Sequence, residues 1–416
     1  MDFLDVTRRR NPKLIKAAFD LYDSGQIHQD TYVLDLDAIR LNSSQVAASA
    51  KKAGVQTYFE SKQFGRNPLA CQEVVKTGMK GTIAIDMEEV RSLHRSGVKV
   101  SHIGHLGQIP RGEAKYVLES VKPEVITVYN VEKARQISEV AGRQRPKQRL
   151  LLKVIGEDDI AYDTLGGGVY ERDVVSVARK INDLPGVSVE GVTSYPGMRY
   201  NLKSRQVEPT PNFHTAVRCA ERLRKAGLEI NQVNAAGMNT ASTMKILADN
   251  GGTHAEPGQA LVGMTPLHAF SDEPEIPGMV YVTEIDHVEG SKAFAYASGF
   301  VANVTIGIWN PLVYGYIYAL AGHDYDTLMS QRVILEPPVF PDSDPSFFMY
   351  LTLRQTPGTK LEVGQTVVAG CRAQVYRANS VKVAAVEGIQ GGKPRLRGVY
   401  DRNGIKLEGP SDSPVS

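Results

Sequence analysis

An alternation of short apolar runs with longer helical patterns constrains the fold of this chain more than any other sequence feature. Between about residues 31 and 268, eight runs of four to seven mostly apolar residues occur, and the stretches between them, such as Asn212–Gly227, have helical spacing. Eight parallel strands joined by crossover helices can close into a barrel because the eighth strand can pair with the first. The predicted strands are Val55–Glu60, Thr82–Ile85, Val100–Ile103, Val125–Val128, Leu150–Ile155, Val187–Thr193, Ile230–Asn234 and Thr253–Glu256.

An open, doubly wound α/β sheet is the alternative architecture for the same alternation. When such a sheet binds a dinucleotide, a G-x-G-x-x-G turn follows its first strand. No such turn follows Glu60, and the glycine-rich segments Gly166–Gly168 and Ala236–Met238 come late in the chain. The sequence therefore predicts an α/β fold built on a (β/α)8 TIM barrel.

The pattern changes after Glu273 to alternating residues with turn signals, as in Val280–Ile285 and Phe347–Leu353. A period of two predicts strands, so we expect a C-terminal all-β domain. Near the other end, Asn11–Tyr22 has the spacing of a helix that ends at Ser-Gly. The predicted segments are an N-terminal helical extension over 1–30, the TIM barrel over 31–273, the β-domain over 274–408 and a flexible tail over 409–416.

Composition excludes several classes of function. Of the 416 residues, 42% are hydrophobic, and 48 Lys and Arg against 46 Asp and Glu leave a net charge of +2 without a basic block, so we expect no nucleic-acid partner. Neither a run of about 18 apolar residues nor a signal-peptide core occurs, so we expect no membrane association and a cytoplasmic location. Cys71, Cys219 and Cys371 lie far apart, which argues against a disulfide framework or structural zinc.

Residues just past the predicted strands are the candidates for chemistry, because the sites of such barrels form at the carboxyl ends of the strands. Lys62 follows the first strand. Burying a bare ammonium group costs on the order of several kcal/mol, so Lys62 reaches solvent, pairs with an acid or becomes neutral as an imine. Lys153, inside the fifth strand, is the second choice for an imine-forming lysine.

The segments after the seventh and eighth strands combine glycine turns with polar residues. Small residues around Gly237 allow close approach of backbone to a phosphate, and Thr240 can cap the following helix, although an ordinary tight turn has the same composition. Glu256 and Gly258 follow the eighth strand. A carboxylate beside a phosphate repels it unless the carboxylate faces a cation, and a protonated pyridine ring is such a cation.

Six segments in this order resemble motifs of the fold-type III pyridoxal phosphate (PLP) enzymes, which include alanine racemase, the ornithine/diaminopimelate decarboxylases, D-threonine aldolase and D-serine dehydratase. The resemblance covers about residues 30 to 400 and is greatest to the racemase-like YhfX-type branch. The six segments are the Lys62 segment, Thr82–Glu89, Leu150–Asp159, Gly191–Gly197, Ala235–Ser242 and Glu256–Gly258.

The resemblance implies PLP as the cofactor, held as a Schiff base on Lys62. Tyr195 occupies the position of the family's histidine that stacks on the cofactor ring, and the position of Glu256 matches the glutamate at the pyridine nitrogen. The implied cofactor-binding residues are Lys62, Tyr195, Gly237, Met238, Asn239, Thr240, Glu256, Gly258 and Gln259.

The resemblance also implies a reaction at Cα of an amino acid, and we expect a racemase or epimerase. Racemisation needs a second acid/base group opposite Lys62. In this family it comes from the β-domain of a partner subunit, which implies a homodimer with shared active sites. We expect Tyr316 and Cys371 in this role. Tyr314, Tyr316 and Tyr318 also suit an aromatic core or interface stripe, and Cys371 also suits a buried small hydrophobe.

Two other functions stay open. Alanine racemase has an arginine at the pyridine nitrogen, whereas Glu256 would keep the ring protonated and favour a decarboxylase or another lyase. A PLP-binding protein without turnover is the third reading, but the β-domain argues against it, since such carriers consist of the barrel alone. His102 and His105 close the third strand and could line the site; as a metal pair they lack a third ligand in the sequence, so we expect no metal.

Overall fold

The computed structural model divides into two compact units. The unit of Met1–Asn42, Lys62–Glu73 and Leu261–Ser416 is called the β unit below, and the unit of Ser43–Ser61 and Val74–Ala260 is called the barrel unit. The described residues are 3–143, 146–201, 203–300, 317–336, 349–370, 372, 375 and 380–407.

The barrel unit is a parallel sheet that closes almost completely. One end of its strand order is Gln56–Thr57 and the other is Phe59–Glu60, and only Tyr58 separates these two strands in the chain. Each of the eight predicted runs overlaps a strand of this sheet, so the predicted TIM-type barrel is confirmed. In spatial order the strands are Gln56–Thr57, His254–Ala255, Gln232–Ala235, Val187–Ser194, Gln148–Ile155, Val125–Val128, Val100–Ile103, Thr82–Ala84 and Phe59–Glu60.

Polar caps start several helices of the barrel unit. The side chains of Asp86, Asn130 and Thr210 each accept a hydrogen bond from a backbone N–H three residues ahead. Such caps satisfy donors that the first turn of a helix leaves unpaired. The α-helices in this unit include Met87–Arg95, Val131–Ala141, Val174–Asn182, Pro211–Lys225 and Met244–Asp249, while Leu36–Ala53 and Pro68–Val75 are shared between the units.

The β unit contains one long, mostly antiparallel sheet, as predicted for an all-β domain. In addition to the neighbours given by the strand order below, the strand Met279–Glu289 pairs with Lys292–Tyr296 in a hairpin. In spatial order the strands are Lys292–Tyr296, Tyr350–Arg354, Arg332–Glu336, Ile317–Gly322, Thr366–Ala369, Met279–Glu289, Thr31–Asp35, Lys382–Glu387, Arg395–Asp401 and Lys406–Leu407.

The strand Thr31–Asp35 corrects the predicted domain boundaries. The barrel is predicted to start at residue 31, but this strand pairs with Met279–Glu289 and Lys382–Glu387 in the sheet of the β unit. Likewise, the barrel unit ends at Ala260 rather than at residue 273. All residues of Thr31–Asp35 are buried. The strand therefore lacks the alternation of buried and exposed residues by which a strand of an antiparallel sheet can be recognised in a sequence.

The N-terminal residues form two helices where one is predicted. Phe3–Arg10 precedes Pro12–Asp23, whose cap is Asn11. Leu14 of the second helix is fully buried in one cluster with apolar strand residues, and burying such a side chain contributes roughly 1.5–3 kcal/mol. The helices therefore belong to the core of the β unit. The members of that cluster include Leu14, Ile15, Phe19, Val280, Val282 and Val368.

Nowhere in the described part of the chain does a helix combine the length and apolar composition that crossing a bilayer requires. The predicted tail over 409–416 lies outside the described residues.

Candidate active site

Glu256 is the centre of a buried polar cluster in the barrel unit. It directly follows the strand His254–Ala255, and its side chain is 1% exposed. Its Oε1 accepts a hydrogen bond from Nδ1 of His102 at 2.9 Å and another from the amide of Asn234. Nδ1 of His105 lies 3.5 Å from the same oxygen. Within the described chain all these side-chain contacts go to Oε1, so Oε2 keeps its capacity to accept a hydrogen bond.

The surroundings of Glu256 keep its carboxylate ionised. Burial alone raises the pKa of Glu256, but the imidazoles of His105 and His102 outweigh burial and hold it well below its ordinary value. Burial lowers the pKa of His102. His102 is therefore neutral and donates through Nδ1, while its Nε2 lies 2.7 Å from the hydroxyl of Thr127.

His105 carries a buried nitrogen that lacks a partner in the described residues. Its side chain is 2% exposed, and Nε2 makes no hydrogen bond there. The ring of Tyr195 meets the His105 ring edge to face, with centroids 6.1 Å apart. Leaving a buried nitrogen unpaired costs about 1–3 kcal/mol, so a polar atom of a bound molecule would stabilise this site.

The cluster also has the donor spacing of a metal site. Nitrogen atoms of His102 and His105 and an oxygen of Glu256 lie within 4.8 Å of one another. The fold thus supplies the third donor that is missing beside the two histidines in the sequence. Both ring nitrogens of His102, however, already lie at hydrogen-bond distance from Glu256 and Thr127. His102 therefore has no ring nitrogen left for an ion, and the absence of a required metal stays a prediction.

The glycine-rich loop after the seventh strand adopts a conformation that favours small residues. Gly237 has a φ of +110°, and a Cβ there would lie 2.9 Å from the carbonyl oxygen of Met198. Met238 also has a positive φ, of 49°. The backbone N–H of Thr240 donates to Oγ1 of Thr243 at 2.8 Å, in a reciprocal cap. Only glycine allows this close approach of the backbone at position 237.

Asn239 joins this loop to Glu256. Its side-chain amide donates to the carbonyl oxygen of Ala235 at 3.1 Å, and its Oδ1 accepts from the backbone N–H of Glu256 at 2.8 Å. The structure therefore brings together the predicted phosphate loop and the predicted partner of the pyridine nitrogen. Both groups of the Asn239 side chain are used within the protein.

The other predicted residues are placed as follows. Lys62 is buried at 9% exposure in the short turn Lys62–Phe64, and it comes directly after Ser61, the residue that follows the strand Phe59–Glu60. Tyr195 is half-buried just past the strand Val187–Ser194. Gly258 precedes the turn that Gln259 begins.

The predicted second acid/base residues are not all described. Tyr314, Tyr316 and Cys371 lie outside the described residues. Tyr318 packs against the core of the β unit, with the guanidinium of Arg332 3.5 Å from its ring centroid. This placement favours the aromatic-core reading of Tyr318.

Lys153, the second candidate for an imine-forming lysine, makes polar contacts with Leu165 and Tyr129 in the barrel unit. Its Nζ donates to the carbonyl oxygen of Leu165 at 2.6 Å and lies 4.4 Å from the ring centroid of Tyr129. Burial lowers the pKa of Lys153 to about 8. The ammonium thus has a hydrogen bond and a cation–π contact of its own.

The sequence patterns indicate no role for the strand residues Thr127, Thr193 and Asn234, although Asn234 and Thr127 complete the Glu256 cluster. Each is a polar residue at a buried position in a barrel strand. A polar side chain within an otherwise apolar run is the signal that could have indicated them.

Comparisons with known proteins agree with this fold. Residues 34–266 match the model of the family described as alanine racemase, N-terminal domain. The chain is 32% identical to YhfX of Escherichia coli (strain K12) over 408 residues, which cover 97% of this chain and 99% of that protein.

Solved structures with the same fold include enzymes of different reactions. The D-threonine aldolase of Filomicrobium marinum has a TM-score of 0.65 and 14% identity, covering 91% of this chain and 95% of its own. The D-threo-3-hydroxyaspartate dehydratase of Delftia sp. HT23 has a TM-score of 0.65 and 15% identity, covering 89% and 97%. Alanine racemase of Clostridium difficile 630 with cycloserine has a TM-score of 0.59 and 16% identity, covering 89% and 98%. The chain belongs to the alanine racemase N-terminal domain family of fold-type III PLP enzymes.

Proposed function

We propose that this protein is a PLP-dependent enzyme that acts at Cα of an amino acid, as a racemase or epimerase, with the cofactor bound covalently to Lys62. The observation that carries the proposal is the ionised, buried carboxylate of Glu256, whose contacts leave Oε2 able to accept a hydrogen bond. A pyridinium N–H is a donor that such a carboxylate suits.

The residues present fit PLP. Gly237 gives the loop after the seventh strand a turn that only glycine permits beside the carbonyl of Met198, and the phosphate would bind at this loop. Glu256 can accept a hydrogen bond from the ring nitrogen. In the same cluster, a polar atom of the cofactor could form a hydrogen bond with Nε2 of His105, which has no partner among the described residues. When bound, PLP supplies an electron sink for the charge that develops at Cα.

The chain's own residues would do the rest of the chemistry. Glu256 would hold a proton on the ring nitrogen, and Tyr195 would cover one face of the ring. The amine of Lys62 would move the proton at Cα on one face of the substrate. Tyr316 or Cys371 of a partner subunit moves it on the other face. A homodimer, an amino acid substrate and a cytoplasmic location are part of this proposal.

Glu256 also favours a second candidate, a PLP-dependent decarboxylase or another lyase. A protonated ring stabilises a carbanion more strongly than the neutral ring expected beside an arginine. Stronger stabilisation suits reactions that break a C–C or C–X bond.

Deuterium incorporation distinguishes these candidates. The PLP-loaded protein is incubated with a panel of L-amino acids in deuterated water, and the products are analysed by NMR and chiral chromatography. Racemisation predicts deuterium at Cα together with the D-enantiomer. Release of carbon dioxide, ammonia or an aldehyde as the main product would contradict it and support a lyase. No turnover on a broad panel would contradict both and support a PLP-binding protein without catalysis.

A further inference from the structure

His102 is held at both ends of its ring across the barrel interior. It lies on the strand Val100–Ile103 and is fully buried. Its Nδ1 contacts Glu256, 154 positions away in the sequence, and its Nε2 contacts Thr127 on the neighbouring strand. Because rotation of the ring would break one of these contacts, the ring has one orientation.

The partners of His102 also determine its tautomer. An ionised Glu256 accepts hydrogen bonds and donates none, so Nδ1 of His102 carries the proton. Burial keeps the ring neutral, so Nε2 accepts from the Thr127 hydroxyl. His102 is thus a fixed donor that faces a single oxygen of Glu256.

The donors of this cluster converge on one carboxylate oxygen. His102 and Asn234 both donate to Oε1, and the nearest nitrogen of His105 faces the same atom. An oxygen that already accepts from several donors is a poor acceptor for another ligand. The arrangement therefore separates the two oxygens into one that is held by the protein and one that is left for a ligand.

We propose that His102 is a positioning residue that holds Oε1 of Glu256 and thereby presents Oε2 to the ring nitrogen of the bound cofactor. This inference rests on the proposed function, since it assumes that the cofactor is PLP. Asn234 is the second donor that fixes the same oxygen. The other titratable side chains near Glu256 are His105, whose Nδ1 lies 3.5 Å from Oε1, and Tyr58 and His254, which interact with Glu256 electrostatically.

Two substitutions of His102 test its contact with Glu256 and its contact with Thr127 one at a time. In His102→Asn the amide occupies the place of Nδ1 and can still donate to Glu256. In His102→Gln the amide extends toward the place of Nε2 and Thr127, but the donor to Glu256 is lost. Both replacements are polar and smaller than or similar to histidine, so they keep the packing comparable.

The first readout is the absorbance spectrum of the PLP-loaded variants as a function of pH, with Glu256→Gln as the reference for a lost carboxylate. We expect His102→Gln to shift toward the spectrum of Glu256→Gln and to bind PLP about tenfold more weakly. We expect His102→Asn to stay within about twofold of wild type in PLP affinity. Thermal unfolding of each variant shows whether the fold is retained.

The second readout does not need the cofactor. In the apoprotein labelled with 13C at glutamate carboxyls, the Glu256 signal is assigned by its loss in Glu256→Gln. We expect its pKa to rise in His102→Gln and to stay near the wild-type value in His102→Asn.

The outcomes separate this inference from the proposed function. A wild-type protein that binds no PLP would overturn both. A wild-type protein with a normal PLP spectrum, together with His102→Gln that matches wild type in spectrum, affinity and Glu256 pKa, would overturn the positioning role alone. Equal losses in His102→Gln and His102→Asn would also overturn it, because they would indicate a packing role.

Discussion

The backbone N–H of Glu256 donates to the side-chain oxygen of Asn239 at 2.8 Å, and this bond joins the ends of the seventh and eighth barrel strands. Asn239 in turn holds the loop through the carbonyl of Ala235. The segment proposed to bind the phosphate and the carboxylate proposed to bind the ring nitrogen are therefore fixed relative to each other.

Asn239→Ala should weaken both stability and PLP binding. The substitution removes two buried hydrogen bonds and leaves the Glu256 N–H unpaired, so we expect a loss of about 1–3 kcal/mol in the free energy of unfolding. PLP affinity should fall about tenfold or more. Urea unfolding and fluorescence titration with PLP measure the two effects. The control is Asn231→Ala at an exposed site, where we expect a change below about 0.5 kcal/mol.

Glu256→Gln should reduce turnover strongly while the fold is retained. Glutamine has the shape of glutamate but holds no negative charge, so it does not keep the ring nitrogen protonated. Losing electrostatic stabilisation of this kind costs on the order of a hundredfold in kcat. Steady-state kinetics of the proposed reaction measure it, with the exposed Glu229→Gln as control. A variant with wild-type kcat would refute the role of Glu256.

Stability should fall as the pH decreases from about 6.5 to 4, and His254 should be a main cause. Burial lowers the pKa of His254 to about 4, whereas an unfolded histidine titrates near pH 6.5. Between these values the unfolded chain binds a proton that the folded chain does not, so the free energy of unfolding decreases by roughly 3 kcal/mol. The depressed pKa of Glu256 adds a further loss of stability as the pH falls through the ordinary glutamate pKa of about 4.3 and below it.

Urea unfolding at pH 7, 5.5 and 4 tests this dependence. His254→Asn can keep the contact of Nδ1 with the Thr253 hydroxyl and should flatten the pH profile. His214→Asn, at an exposed site, should leave the profile unchanged. Identical profiles for His254→Asn and wild type would show that His254 is not the group responsible.

The N-terminal helices should be required for the stability of the β unit. Leu14 is fully buried in its core cluster, so Leu14→Ala should cost about 2–5 kcal/mol in the free energy of unfolding. Thermal unfolding measures the loss. Leu41→Ala, at a site that is 44% exposed, is the matched control with an expected change below about 1 kcal/mol. Equal effects of the two substitutions would contradict a core role for the first helices.

Local patterns in the sequence predicted the barrel well because each strand and helix is a periodic segment of its own. The order of Lys62, Gly237 and Glu256 along the chain also follows from those patterns. Thr31–Asp35 falls in the predicted barrel segment but pairs in the sheet of the β unit, because the sequence of a fully buried strand does not indicate which sheet it joins.

Long-range contacts explain what the sequence could not show. The side chains of His102 and Glu256 come into contact only because the closed barrel brings the third strand and the end of the eighth strand together in its interior. Asn234 and Thr127 have roles that depend on which face of a strand is turned inward. Spacing along the chain indicates that a residue is polar and near a strand end, but not which partner lies across the barrel.

Reduction of the PLP-loaded protein with borohydride, followed by peptide mass spectrometry, tests the central claim most directly. We expect a pyridoxyl group on Lys62 in the wild type and in Lys153→Ala, and none in Lys62→Ala. A pyridoxyl group on Lys153, or a reducible adduct that persists in Lys62→Ala, would contradict it.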